Sequence, residues 1–403
     1  MDDCEIEQIF MIKGFYTIAV LELFLGGGGR LTEIGSVSFR MVIFGLCLCV
    51  TLWLMVTHFD YDRDAVFLAL GLTVAYVAVH LFGVVNGVFR GADAVDIMSD
   101  LQPSLFWLIA PFFAVVLGSR LIVYHNARLI CLTGILLAVF YMTTLLSLAQ
   151  GFLDFSELYE KLNSTGEFFF RGDSFFFYKG FLYLAIATVF LIAISGRLAV
   201  LGAILVATAL LLTLTRGFVI SAAIVIILML FSLRRWISMA VAVMLAAVAF
   251  FAVWIYLPEM TSGFSGQRDV SNNIRFDDMI FMLKNATPIT LLVGEGFGSY
   301  INGRLNIENS YLWLWWKLGF LGLIFWLSPL VMAMFYYCRI SRDDPDYRLG
   351  CAFFYSILLV YIQTATNPYL NNPIGLSFVL IALFSLRTLG KSVNSDGMRK
   401  VVL

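Results

Sequence analysis

The chain of 403 residues is short of charge. Asp, Glu, Lys and Arg make up only 13% of it, and 26 basic against 27 acidic residues leave a net charge of −1. Ordinary soluble domains are about a quarter charged and rather less than half apolar, against 61% apolar here. A soluble enzyme, a nucleic-acid-binding domain and a disordered scaffold are excluded on that balance. The near-zero net charge likewise gives no reason to expect a nucleic-acid or acidic partner. The six cysteines are scattered, and Cys47 and Cys49, two apart, point to different faces of a helix. With no CxxC pair and no His/Cys cluster, neither a disulfide framework nor a metal site is expected. The N-terminal stretch MDDCEIEQ is acidic where a secretory leader is basic, so the first apolar run is expected to stay as a span.

What the sequence has instead is apolar length. Runs fall near 8–26, 38–57, 65–86, 103–118, 128–149, 180–195, 198–215, 217–233, 236–257, 309–337, 349–366 and 373–390. A helical span needs roughly 20 apolar residues, and in lipid only helices or closed barrels satisfy the backbone. The alternating pattern of a barrel is absent. The expectation is an all-α polytopic membrane protein of about twelve transmembrane helices, a single integral membrane domain over residues 1–403. The first run is the weakest, with Lys13 and Glu22 inside it. The tenth carries Pro329, where a tilt or kink is expected.

Orientation follows from Lys and Arg. With both termini cytoplasmic, thirteen basic residues fall inside and eleven outside; setting aside the seven in two long outside loops leaves thirteen against four. Those loops, 150–179 and 258–308, hold 18 of the 53 charges in 81 residues, about twice the density elsewhere. Solvation of loops accounts for some of this. An extracytoplasmic site assembled there accounts for the arginines.

Four segments carry the candidate chemistry. Glu167-Phe-Phe-Phe-Arg171-Gly-Asp173-Ser-Phe-Phe-Phe-Tyr178 is a charged centre between aromatic triplets. It reads as an interfacial belt or as a flap holding Arg171 near an anion. Thr213-Leu-Thr215-Arg216-Gly217 puts one arginine in a very short turn between two apolar runs, where it either snorkels to headgroups or serves a site. The third segment runs from Gln267-Arg268-Asp269 through Arg275-Phe-Asp277-Asp278 to Gly294-Glu-Gly296-Phe-Gly298. It has neither GxGxxG spacing nor a Walker lysine, so its glycines read as a tight turn needing positive φ. The fourth is Asn306-Ile-Glu308-Asn309-Ser310-Tyr311, opening a membrane helix, with Trp313, Trp315 and Trp316 behind it. A helix cap is the plain reading of Glu308 and Asn309, and an outer interfacial belt that of the aromatics.

Taken together, several arginines and one carboxylate gather on one membrane face. Arginine forks match phosphate oxygens and keep their charge at any accessible pH. A metal-free site for a lipid-linked diphosphate needs such arginines and one base.

This pattern resembles the bacterial O-antigen polymerase and ligase superfamily, the Wzy-type polymerases in particular. Its members have about twelve spans, a short "RG" step between central helices, and a late periplasmic loop. In that loop an arginine precedes a glycine-rich turn and a segment that enters the next helix. The matching parts are Thr215-Arg216-Gly217, Arg275, Gly294-x-Gly296-x-Gly298, and Glu308-Asn309-Ser310-Tyr311-Leu312 with Gly319 and Gly322, over roughly residues 165–325. Glu308 stands where the ligases carry a histidine, the proposed base, which argues against transfer to lipid A core. A glutamate does the same work if partial burial raises its pKa.

The resemblance implies a glycosyltransferase of the bacterial inner membrane that polymerises undecaprenyl-diphosphate-linked repeat units into O-antigen or capsular polysaccharide on the periplasmic face. Arg216 and Arg275 would grip the donor diphosphate, Glu308 would deprotonate the acceptor hydroxyl, and Arg171, Arg268, Asn309 and Tyr311 would contact substrate. No metal, nucleotide or other cofactor is implied. The partners implied are the lipid-linked donor and acceptor, membrane lipid and a chain-length regulator protein. The rivals are a ligase-like transferase with another acceptor and, from a different class, a secondary transporter or lipid-linked-glycan flippase. A transporter should show repeated halves and paired charges near the midplane.

Overall fold

The computed structural model describes residues 3–29, 31, 33–34, 37–57, 61–171, 175–194, 196–241, 243–244 and 265–391. The protein is a helical bundle. Among the described residues, five helices are long and apolar enough to cross a membrane, at Phe39–Val56, Arg63–Phe89, Ala94–Val116, Arg120–Ala149 and Ser310–Arg339, and further apolar helices are shorter. In chain order the helices are α1 (Asp3–Leu25), α2 (Phe39–Val56), α3 (Arg63–Phe89) and α4 (Ala94–Leu101), continuing through a 3₁₀ segment (Gln102–Ile109) into α5 (Ala110–Val116). Then come α6 (Arg120–Ala149), α7 (Phe155–Asn163), α8 (Leu182–Ile194), α9 (Arg197–Leu212), α10 (Arg216–Ser232) and α11 (Ser265–Asn285). The last are α12 (Pro288–Val293), α13 (Ser310–Arg339), α14 (Tyr347–Thr364) and α15 (Pro373–Leu389). The ninth apolar run, 236–257, lies mostly outside the described residues.

The structure is not helical throughout. Among the described residues are two small antiparallel hairpins, β1–β2 (Glu33–Ile34, Val37–Ser38) and β3–β4 (Phe168–Arg171, Phe175–Tyr178). The second is made by the aromatic triplets, whose bulky side chains favour an extended, half-buried ribbon. Phe176 and Phe177 face the bundle, with ring centroids 5.1 Å from Tyr141 and 5.5 Å from Phe218, while Phe169 is exposed.

At the centre stand α8 and α15, buried along nearly their whole length. Connections gather at two ends. At one, Arg120 donates to Asp346 at 2.8 Å and to the Lys391 carbonyl at 2.9 Å, and Arg387 and Lys391 both pair with Asp62. The other end holds the β3–β4 hairpin and the starts of α10, α13 and α15. The weak first run is nevertheless one helix, because Glu22 forms a buried pair with Arg40 of α2 at 3.1 Å.

The tenth run departs from expectation. The break in α13 falls at Gly319 (φ 66°, ψ −165°), not at Pro329, which sits inside regular helix. The break takes Trp316 and Lys317 carbonyls out of the helical ladder. Backbone N–H groups of Glu295 and Gly296 donate to them instead, at 2.6 and 3.0 Å, and Phe297 N–H donates to the Gly83 carbonyl at 3.0 Å. A buried carbonyl without water or a partner costs several kcal/mol in lipid, so the glycine turn completes the helix. Gly296 is there because φ is +86° and a Cβ would lie 2.2 Å from the Gly87 nitrogen.

Lys317, which sequence places inside a span, is fully buried beside Asp100 at 2.7 Å. It also donates to the Ser299 carbonyl, and Asp100 accepts from Gly298 N–H at 2.7 Å. Removing one partner of such a pair leaves an uncompensated charge. Lys317→Met is expected to cost about 3–5 kcal/mol, measured by thermal unfolding in detergent. Adding Asp100→Asn, which neutralises the stranded carboxylate and keeps an acceptor for Gly298, should recover most of it; a double variant as unstable as the single one would contradict this account.

Candidate functional site at one end of the bundle

Arg216 opens α10. Thr213 ends α9, Leu214 takes φ +51°, and Thr215 is the N-cap residue, so three residues reverse the chain. The arginine side chain is exposed and makes no ion pair among the described residues. It stands at the positive end of a 17-residue helix, where the backbone dipole adds to its attraction for an anion.

Arg275 projects from α11. Its Nε donates to Glu308 Oε2 at 2.7 Å and its Nη2 reaches the Thr366 carbonyl at 3.4 Å. Asp278, one turn on and on the same face, is buried and accepts both its hydrogen bonds from Arg304. That pair fixes the rotation of α11 and so the direction of Arg275. Glu308 keeps 51% of its side chain exposed. Its other half is covered, and the Arg275 guanidinium lies against it.

Asn309 is the N-cap of α13. Its Oδ1 accepts from Tyr311 N–H at 2.9 Å and Leu312 N–H at 3.1 Å. The Tyr311 hydroxyl turns inward and donates to the Tyr361 carbonyl at 2.6 Å, tying α13 to α14. Half of the expected aromatic belt is core: Trp313 and Trp316 are buried, while Tyr311 and Trp315 are partly exposed. Arg171 ends β3 beside the hairpin tip, paired with Phe175. Arg268 lies within α11. The side chains of Arg171 and Arg268 lie outside the described ones.

The element that joins these pieces is one the sequence reading passed over, the α14–α15 turn with Thr366, Asn367, Tyr369 and Asn371. Thr366 receives Arg275, and Asn371 Oδ1 accepts from Ser310 Oγ at 2.8 Å beside Glu308. The Tyr369 hydroxyl donates to the Lys179 carbonyl at 3.2 Å, and its ring lies 5.7 Å from Phe218. The hairpin bearing Arg171 and the starts of α10 and α13 thus meet at one turn. Its signal was the polar gap 367–372 between two apolar runs, together with Gln363, Thr364 and Thr366 at the end of the run before it. Two arginines and one carboxylate here carry net positive charge, suited to a dianion. A separate cavity of about 630 Å³ at the other end, lined by Arg339, Arg387 and Lys391, does not belong to this cluster.

Fold and site describe a multi-helix membrane protein with an arginine-rich cluster around one carboxylate at one end of the bundle. The chain is similar to an O-antigen polymerase of Shigella flexneri, 29% identical over 392 residues, a match covering 95% of this chain and 97% of the relative. The resemblance seen in motifs between 165 and 325 thus extends along nearly the whole length. No family model matches the chain.

The site's charges differ in what they hold up. Arg216→Ala should leave the unfolding free energy within about 0.5 kcal/mol of the parent. Arg304→Gln strands the buried Asp278 carboxylate and should cost about 1–3 kcal/mol. The reverse ranking in detergent unfolding would show that Arg216, not Arg304, holds the site together.

Proposed function

We propose that this protein is a glycosyltransferase that polymerises lipid-linked oligosaccharide repeat units into O-antigen or a related surface polysaccharide. The whole-length similarity to an O-antigen polymerase supports the reaction class. The site reading is supported by Arg275, which donates to both Glu308 and the Thr366 carbonyl of the α14–α15 turn, and by Gly217, next to Arg216, which packs against the same turn. The proposed setting is a bacterial inner membrane, with about twelve spans, both termini cytoplasmic and the cluster facing the periplasm. The positive-inside balance of the short loops, thirteen basic residues against four, supports that orientation.

In the proposed reaction an undecaprenyl-diphosphate-linked glycan is the donor, and a sugar hydroxyl of a second lipid-linked unit attacks its anomeric carbon. The new glycosidic bond forms as the bond to the diphosphate oxygen breaks, and the lipid diphosphate leaves with that electron pair. Arg216 and Arg275 stabilise the charge developing on it. Glu308 takes the proton of the attacking hydroxyl. Before substrate arrives Arg275 holds Glu308. A diphosphate competes for that guanidinium, and the carboxylate is freed as the donor is gripped. Arg171 and Arg268 would line the donor path; Asn309 and Tyr311 act by capping and anchoring the helix behind Glu308. A chain-length regulator is the proposed protein partner.

The test is the polysaccharide of the host after replacement of the protein by variants. Glu308→Gln, Arg216→Ala and Arg275→Ala should each abolish the polymer ladder on a gel and leave a single repeat unit on the anchor. An anchor bare of glycan would indicate a ligase instead. A variant with an unchanged ladder removes its residue from the site.

A further inference from the structure

The two arginines of the cluster stand on separate helices and share one reference point. Thr366 receives Arg275 on its carbonyl. Its hydroxyl accepts from Gln363 Nε2 at 3.0 Å and from Asn367 Nδ2 at 3.2 Å, and lies 3.1 Å from the Gln363 carbonyl, to which it donates. Gln363, near the end of α14, is 1% exposed. Its Oε1 accepts from Ser221 Oγ of α10 at 3.0 Å, a hydroxyl shared with the Gly217 carbonyl at 2.7 Å. Both ends of the amide are therefore used, one on the helix of Arg216 and one on the turn that holds Arg275.

Gly217 makes the same point from the other side. A Cβ there would lie 3.2 Å from both Gln363 Nε2 and Thr366 Oγ1, closer than ordinary packing. The first turn of α10 rests directly on the amide, with no side chain between. This gives the Arg-Gly step a physical reason: the glycine lets the helix start approach the turn, and so brings the backbone of Arg216 close to the turn that receives Arg275.

We infer that Gln363 is a positioning residue that sets Arg216 against Arg275, so that both meet one diphosphate. The inference rests on the proposed role of those arginines. A buried amide in a membrane bundle is costly unless both its ends are bonded, and an apolar side chain would fill the space without aiming anything. If Gln363 only stapled α10 to α14, its loss would lower stability and leave each folded molecule with normal kinetics. A positioning role affects donor recognition instead.

The experiment uses the full chain in lipid vesicles with a lipid-linked repeat unit as donor, and binding of a polyprenyl diphosphate as a second readout. Gln363→Met should raise the donor KM and weaken polyprenyl diphosphate binding by roughly tenfold, one hydrogen-bond's worth, and lower kcat as well, since the same arginines stabilise the leaving diphosphate. Gly217→Ala and Ser221→Ala should shift both in the same direction by less, and they carry the test if Gln363→Met does not fold. Unchanged KM and binding with only a lower unfolding temperature would overturn the inference and leave a staple. Failure of the parent reading looks different: the unsubstituted protein would not bind the polyprenyl diphosphate, or Arg216→Ala and Arg275→Ala would bind it normally.

Discussion

The functional end of the molecule depends on the repair of a broken helix away from water. At Gly319 the backbone of α13 leaves the helical region, and two carbonyls lose the N–H groups that would have followed. A soluble protein could leave those carbonyls to solvent; a membrane bundle has none to offer. Here the glycine turn at 294–298 lends its own N–H groups, and Lys317 and Asp100 clamp it from the other side. The clamp continues outward. Ser299 is held by Lys317, Ile301 and Arg304 exchange backbone hydrogen bonds, Arg304 grips Asp278, and Asp278 shares a helix face with Arg275. The short helix from Ser310 to the break is therefore tied to the loop before it, with Glu308 at its mouth beside Arg275.

How much of this was legible depends on whether the signal is local. The Thr213–Gly217 step could be read because two apolar runs left room for nothing but a tight turn. The positive φ of the 294–298 glycines and the cap at Asn309 follow from chemistry within a few residues. Other features are decided at a distance. Proline is a local steric signal, so Pro329 drew the expected kink. The actual break, at Gly319, answers to a turn more than 20 residues earlier in the chain. A tryptophan belt and a tryptophan-rich core have the same composition, and only packing against other helices put Trp313 and Trp316 inside. Lys317 looked like an isolated lysine because its partner is 217 residues away. The α14–α15 turn was missed for a related reason. Polar residues in a gap between spans are the ordinary content of a loop, and nothing local distinguishes a loop that four elements share.

The pairing of Arg275 with Glu308 gives the two arginines different standing on the proposed reaction. Arg216 is exposed and unpaired among the described residues, at a helix start whose first N–H groups add positive potential. Arg275 is already engaged, so a diphosphate gains less from it at first encounter. An anion entering the cluster is therefore met by Arg216 and only then draws Arg275 away from the carboxylate. The exchange costs little where both partners stay wetted, because exposed ion pairs are weak. It has a chemical consequence all the same. While Arg275 holds Glu308, its Nε and Nη2 both occupy Oε2 of the carboxylate. On the proposed reaction the guanidinium turns to the phosphates as the donor is gripped, and that oxygen is freed to face the acceptor hydroxyl. Donor binding then uncovers the base at the step where the hydroxyl must be deprotonated.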